Sequence, residues 1–382
     1  MKTYNQILNE NKAWAEEIFA KIDKKLSKVA VRSRNILPAH ADENGMHIDA
    51  KTPFVWTNGF FGGLNLLLYA KTGNPDYLET ARMTEKLLDR NTYLNVDHDV
   101  GFMWHLTSTA NYRLTGDEQS KDRAFHAAAA LMSRFIISGD YIRAWNNPQC
   151  PNWTIIDTMM NLPLLYWASK ETGDDRFKRV AMAHADMAMD LHVRPDGSVV
   201  HIADHDRETG EVTETFGGQG YAVGSSWSRG QAWAVYGFML SYKHTGEERY
   251  LNTAKLVANY FIANCCDDWM PRVDFRAPAE PVYYDSSAGL ITACGLIELA
   301  KALPESEGGM YMNAAINFLR AADKSFTDYR EETDALVTHG TVRYPVSGQY
   351  AVENNVHIYL PYGDYYYAEA ILKLLGAEFD PW

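Results

Sequence analysis

The sequence predicts a mainly helical protein whose helices pair into hairpins and close into a ring of about six. Three observations carry this. Thr72-Gly73, Thr115-Gly116, Thr172-Gly173 and Thr245-Gly246 each end an apolar helical run. Each is followed by an acidic or Asn-rich turn and then by an Ala nine residues after the Thr, at Ala81, Ala124, Ala181 and Ala254. Strand-like segments are few, and neither residues 197–202 nor residues 335–338 precede the crossover helix that a parallel sheet needs. The repeated unit has a physical logic. Gly accepts the left-handed backbone that ends a helix, acidic residues and Asn favour the start of the next, and Ala lets two helices approach closely.

Taken in order, residues 1–28 place Ile7, Trp14, Ile18, Ile22 and Leu26 at helical spacing. Residues 29–57 are irregular. The Thr-Gly turns then recur at intervals of 43, 57 and 73 residues, three of them with an aromatic five positions after the Thr (Tyr77, Phe177, Tyr250). A further hairpin runs from Ile291 through the Leu303-Pro304 turn into residues 312–326. The first helix and the last, residues 365–375, complete the ring. Uneven spacing argues against an open solenoid and suits a closed toroid with long insertions at one end, folded as a single domain over residues 1–382.

Composition narrows the class. Hydrophobic residues make up 46% of 382, enough for a large core, and no run of 18 apolar residues suggests a membrane span. The first residues lack the apolar segment of a secretion signal, and the four cysteines, two of them adjacent, form no spaced framework. Both features lead us to expect a reduced cytoplasm. A net charge of −13 disfavours nucleic acid and anionic membrane as partners while leaving room for a small anion beside a local Arg. Aromatics reach 13%, with 10 Trp and 23 Tyr, most of them assigned to helical core.

The stretch Trp153-Thr154-Ile155-Ile156-Asp157-Thr158-Met159-Met160-Asn161-Leu162-Pro163 reads as an apolar helix with one carboxylate in its middle. The nearest Lys or Arg are Arg143 and Lys170, so Asp157 either hydrogen-bonds to backbone or to Asn161, or serves chemistry with a shifted pKa. Asp97 and Asp99 flank His98 in a segment that serves either as an Asp N-cap or as metal ligands, and no second cluster has ligand spacing. Residues 204–210 look faintly like a calcium loop but lack the closing Glu, and read as a solvated turn. In Ser225-Ser226-Trp227-Ser228-Arg229-Gly230-Gln231-Ala232-Trp233 the serines cap a helix, with Arg229 in its first turn and Trp233 on the same face. That pair would suit a sugar acid or, equally, a structural Arg–Asp contact. No GxGxxG or GxSxG motif occurs.

Together these motifs resemble the unsaturated glucuronyl hydrolases, glycoside hydrolase family 88, over most of the chain from Trp56 onward. The pieces that carry the resemblance are Asp97-His98-Asp99-Val100-Gly101-Phe102, Ile155-Ile156-Asp157 with Asn161-Leu162-Pro163, Trp227 to Trp233, Asp285-Ser286-Ser287-Ala288, and Gly363-Asp364-Tyr365-Tyr366-Tyr367. The resemblance implies an all-α (α/α)6 barrel of six helical hairpins, with long loops at the active-site end. It implies Asp157 as general acid and base and Asp99 as the second carboxylate. Trp56, His98, Trp145, His201, Gln219, Arg229 and Trp233 match the positions that line the sugar pocket. Asn58 and Gly218 depart from the Asp and His expected there, and residues 341–361 lack the Ser- and Lys-containing motif that grips a sulfate in some members.

The implied activity is hydrolysis: release of a 4,5-unsaturated uronic acid from the non-reducing end of lyase-generated di- or oligosaccharides, with no metal or organic cofactor. Hydration of the C4=C5 vinyl ether needs a proton donor, so Asp157, in apolar surroundings and near Asp99, is expected to have a raised pKa. Arg229 and His201 are expected to hold the substrate's carboxylate or hydroxyls. Either a monomer or a homodimer fits. The alternatives are an unsaturated rhamnogalacturonyl hydrolase, a sugar epimerase on the same barrel, and a non-catalytic oligosaccharide-binding barrel.

Overall fold

The computed structural model describes residues 2–52, 55–89, 97–265, 267–345 and 355–382. Parts of the sequence motifs at 53–54, 94–96 and 346–354, and Cys266, lie outside the described residues. Its helices are α1 (Tyr4–Arg32), α2 (Asn58–Thr72), α3 (Pro75–Leu88), a π-helix (Gly101–Thr109) continuing into α4 (Ala110–Thr115), and α5 (Glu118–Met132). They continue with α6 (Leu162–Thr172), α7 (Asp175–His192), α8 (Ser228–Thr245), α9 (Glu248–Asn264), α10 (Ser286–Ala302), α11 (Glu305–Ser325) and α12 (Pro361–Leu374). Between them lie short strands: β1 (Pro38–Ala41), β2 (His47–Asp49), β3 (Phe135–Ile136), β4 (Tyr141–Ile142), β5 (Trp153–Ile155), β6 (Ile202–His205) and β7 (Val212–Phe216).

The helices form an (α/α)6 barrel. The inner helices α2, π–α4, α6, α8, α10 and α12 pack side by side until α12 meets α2, while α3, α5, α7, α9, α11 and α1 form the outer layer. The inner helices are buried nearly all round, as in α10, where every residue from Ser286 to Ile297 is buried. Outer helices are amphipathic: α7 buries only Ala181, His184, Ala185, Ala188 and His192. Each Thr-Gly turn works as its chemistry dictates. Gly73, Gly116, Gly173 and Gly246 take φ of 70°, 74°, 73° and 74°, conformations that favour Gly. Each preceding Thr hydroxyl donates back to the carbonyl four residues earlier, for example Thr172 to Ala168 at 2.6 Å. Ala81, Ala124, Ala181 and Ala254 are all fully buried. Asn74, Asp117 and Asp174 then cap the outer helices with their side chains.

The four Thr-Gly turns connect α2, π–α4, α6 and α8 to their outer partners at one end of the barrel, and the Leu303-Pro304 turn does the same for α10. The return connections are long, and their described residues, 33–52 and 55–57, 97–100, 133–161, 193–227, 267–285, and 326–345 and 355–360, lie at the other end. Two elements differ from the sequence reading. Trp153–Ile155 is a strand, followed by a 3-10 turn at Ile156–Met160, and helix starts only at Leu162, with Pro163 in its first turn. The β-branched Thr154 and Ile155 find β6 as an antiparallel partner, which overrides the apolar periodicity. The strand expected at 197–202 lies at Ile202–His205, because Gly197 (φ 85°) turns the chain first and Val193 bridges to Val199. Among the described residues, no helix is long and apolar enough to cross a membrane.

Candidate active site

Every residue lining one cleft of about 280 Å³ comes from the long connections: Trp56, Asp99, Trp145, Ile155, Asp157, His201, Ile202, Gly218, Gln219 and Arg343. A larger groove of about 410 Å³ lies at the Thr-Gly end, where its charged lining residues are Lys71 and Glu378. It holds no paired carboxylates, so chemistry places the site in the smaller cleft.

Asp157 sits in the 3-10 turn after β5, its carboxyl facing His201, with Nε2 3.3 Å from Oδ1. The orientation of that imidazole has a cause two residues from β7. Gly218, at φ +60°, turns the chain so that the Gln219 N–H donates to His201 Nδ1 at 3.0 Å. With Nδ1 accepting, the ring N–H is Nε2, the nitrogen that lies beside Asp157. A Cβ on residue 218 would collide with the His201 ring, so the departure from the expected His has a steric reason.

Asp99 is held from a different direction. Its N–H bonds to Asp97 Oδ1 (3.0 Å), and Asn161 Nδ2 donates to its Oδ1 (3.2 Å). Asn161 Oδ1 in turn accepts from the N–H of Phe102, in the first turn of the π-helix, at 2.9 Å. Gly101 is needed for this: a Cβ there would lie 2.6 Å from Asn161 Cα. Sequence motifs contained Asn161 but assigned it no part in the site; it orients one carboxyl and touches the backbone of the other residue, Asp157, at 3.4 Å.

The two carboxyls are driven apart. Burial pushes Asp99 well above the ordinary carboxylate range, and the charges of Asp97 and Asp157 push the same way. Burial also raises Asp157, but the adjoining imidazole of His201, with His98 and Arg229, outweighs it and holds Asp157 below its ordinary value. The expected raised pKa therefore belongs to Asp99, not Asp157. Of the partners weighed from sequence, Asn161 reaches only the Asp157 backbone, and the group beside the carboxyl is His201.

Of the expected lining residues, Trp56, Trp145, His201 and Gln219 are on the wall. Trp56 stacks on Tyr362 (5.1 Å, 29°). His98, Arg229 and Trp233 are not. His98 is fully buried, with Nδ1 2.8 Å from the Thr158 hydroxyl and burial pushing its pKa down to about 4. Trp233 is fully buried among Phe102, Tyr366 and Trp56. Arg229 is 1% exposed, paired with Asp285 and lying 4.4 Å from the Trp227 ring centroid. A cation in a helix's first turn needs an anion, and here a buried Asp provides it. The serines thought to cap α8 do other work, Ser225 bonding Asp274 and Ser226 bonding Gln231.

Arg229 instead acts on its neighbours. It donates to the carbonyls of Thr341 and Val342, both at 2.6 Å, and Gln219 Nε2 donates to Val342 O at 2.7 Å. These bonds fix the backbone beside Arg343, which lines the cleft and which sequence reasoning missed. The available signal was isolation: Arg343 is the only Lys or Arg between Arg330 and Lys373. Asn58 lies off the wall, its amide donating to Thr52 O at 2.9 Å. Among the described residues, no three His, Cys, Asp or Glu side chains are grouped to hold a metal ion.

The family model described as Glycosyl Hydrolase Family 88 matches residues 30–255. An unsaturated glucuronyl hydrolase of Bacillus sp. (strain GL1) is 38% identical over 331 residues, covering 84% of this chain and 86% of that protein. An unsaturated chondroitin disaccharide hydrolase of Streptococcus pyogenes serotype M1 is 32% identical over 327 residues, covering 83% and 80%. The crystal structure of the unsaturated glucuronyl hydrolase from Bacillus sp. GL1 superposes with a TM-score of 0.85 at 34% identity, covering 94% of this chain and 97% of that one.

Proposed function

The chain belongs to glycosyl hydrolase family 88, and from that membership we propose that it releases a 4,5-unsaturated uronic acid from the non-reducing end of lyase-generated oligosaccharides. The observation that carries this reading is the convergence of Asp157, Asp99 and Arg343 on one cleft walled by Trp56 and Trp145. The tryptophans offer apolar faces to a sugar ring, and Arg343 offers a cation to the uronate. No observation favours the rhamnogalacturonyl alternative.

The chemistry follows from the substrate. Its C4=C5 double bond is a vinyl ether, because C5 carries the ring oxygen. A proton added at C4 leaves positive charge at C5, which the ring oxygen stabilises. Water then bonds to C5 and loses a proton to a base. The hemiketal so formed opens to a ketone at C5, leaving the former ring oxygen as a hydroxyl on C1. That hemiacetal collapses to an aldehyde and expels the remaining sugar as an alcohol. One water is consumed and the double bond is lost. Ordinary glycosidases attack the anomeric carbon instead.

This route needs one carboxylic acid and one carboxylate, and the cleft supplies both. In this reading Asp157, held below its ordinary value with His201 Nε2 3.3 Å from its Oδ1, takes the proton from water. The proton for C4 comes from the two carboxyls together, with Asp99 its holder. The test is the ultraviolet absorbance of the conjugated uronate in unsaturated disaccharides. Wild type should abolish it, and Asp157→Asn should retain the fold and substrate binding while losing nearly all turnover. Persistent absorbance with wild type across disaccharides from chondroitin, hyaluronan, heparin, gellan and xanthan would sink the proposal.

A further inference from the structure

The cleft does not end at the two carboxylates. Strands β5, β6 and β7 form one antiparallel sheet, in which Ile155 lies opposite Ile202 and Ile202 opposite Phe216. Residues opposite one another share a face, and Ile155 and Ile202 both line the cleft. Phe216 therefore extends the cleft-facing row. Trp153, Asp204 and Glu214 form the next row on that face, about 7 Å further along the strands. Trp145, on the cleft wall, lies 5.8 Å from Trp153, which stacks on Phe216 at 4.7 Å and 29°. None of these three rings is buried in full.

The sheet's other face is spoken for. Thr154 and Ala203, which alternate with these residues, are fully buried, and the Thr154 hydroxyl meets His192 and His205 at 3.0 Å. The aromatic row is thus the outward continuation of the site. Its flank has a definite sign: residues 202–216 carry Asp204, Asp206, Glu208, Glu211 and Glu214 against Arg207. Among the described residues, neither Asp204 nor Glu214 is in an ion pair.

We propose that the β5–β7 sheet face, through Trp153 and Phe216, is a distal subsite for an uncharged sugar, the third from the non-reducing end of a linear oligosaccharide. Apolar rings accept the C–H face of a pyranose, and carboxylates beside them accept its hydroxyls. The same carboxylates repel a uronate or sulfate at that position. The inference rests on the proposed hydrolase reading, and deepens it from a terminal sugar to the composition of the chain behind it.

The experiment compares kcat/KM on three substrates with the same unsaturated end: a disaccharide, a tetrasaccharide continuing with neutral sugars, and one continuing with uronate or sulfated sugars. Wild type should favour the neutral tetrasaccharide over the disaccharide. Phe216→Ala should lower kcat/KM on the neutral tetrasaccharide by roughly two- to tenfold while leaving the disaccharide unchanged, which also reports an intact fold. Glu214→Lys should raise kcat/KM on the charged tetrasaccharide alone. Equal effects of Phe216→Ala on disaccharide and tetrasaccharide, or no wild-type preference for the neutral chain, would overturn the subsite. Loss of turnover on all three by wild type would sink the hydrolase reading with it.

Discussion

A carboxylic acid that gives a proton at neutral pH needs its ionised form disfavoured, and the two acids of this cleft are treated oppositely. Asp99 meets burial and like charge, while Asp157 lies beside the imidazole of His201. A bell-shaped pH dependence of kcat/KM follows. On the acid side, protonating Asp157 removes the base for water. On the alkaline side, ionising Asp99 removes the stored proton. Asp99→Asn should lower kcat by about 10²-fold or more and displace the alkaline limb, and an unmoved limb would place the stored proton elsewhere. The same variant has a stability signature. Because the folded Asp99 holds its proton above the unfolded value near 4, the native residue costs stability at pH 7, and that cost fades as pH falls toward 4. The melting temperature of Asp99→Asn should exceed wild type at pH 7, and the difference should close near pH 4. From sequence, Asp157 and Asp99 stood in local motifs, while the wall residues Trp56, Trp145, His201 and Gln219 came only from the family resemblance. Which acid is protonated was not legible, since it depends on His201, 44 positions away and aimed by a backbone N–H.

Elements place these groups to within a bond length, and glycines at two junctions show how. At Gly218 the left-handed backbone and the His201 ring leave no space for a side chain. Gly218→Ala should therefore rotate the imidazole away from Asp157. The expected result is a fall in kcat beyond tenfold, with a stability loss of about 1–2 kcal/mol from the strained backbone, read by urea denaturation. Near wild-type kcat would show that the His201 orientation is not limiting. The hairpin helices were legible to within a few residues, because Thr-Gly caps and helical spacing are written in adjacent positions. Asp157's own element was misread. Trp153–Ile155 is a strand only because β6 and β7, about 50 residues on, provide partners, and periodicity within a window contains no such information. For Arg229 the sequence left a sugar acid and a core Asp equally open, because its buried counterion, Asp285, lies 56 positions away.

Across the whole molecule, the barrel axis is filled with aromatic rings, from Trp56 and Phe102 through Trp233 and Tyr366 to Trp382. This accounts for much of the aromatic content, as the composition suggested. Below the rings, away from the cleft, a buried charge cluster closes the far end. Lys373 reaches Glu298 at 2.7 Å, Asp380 at 3.0 Å and Glu369 at 3.6 Å. Lys373→Met would leave the buried Glu369 without a cation, and Asp380 and Glu298 with only the more exposed Lys243 and Lys301, so it should destabilise the fold by about 3 kcal/mol. Activity at low temperature should persist, because the cleft is built by the opposite set of connections. Denaturant midpoints and disaccharide turnover measured together would test this, and a selective loss of turnover would count against the separation of the two ends.

The meeting of α12 with α1 and α2 has a kinetic meaning. These contacts join segments about 300 residues apart, so the ring closes only after most of the polymer has been searched through, and loop closure precedes any reward. Until then the flanks of α2 and α10 stand as two unmatched apolar edges. A ribosome releasing five hairpins has made a sticky, open horseshoe. Assembly of this protein is therefore slow, all-or-none at its last step, and most vulnerable to aggregation just before completion.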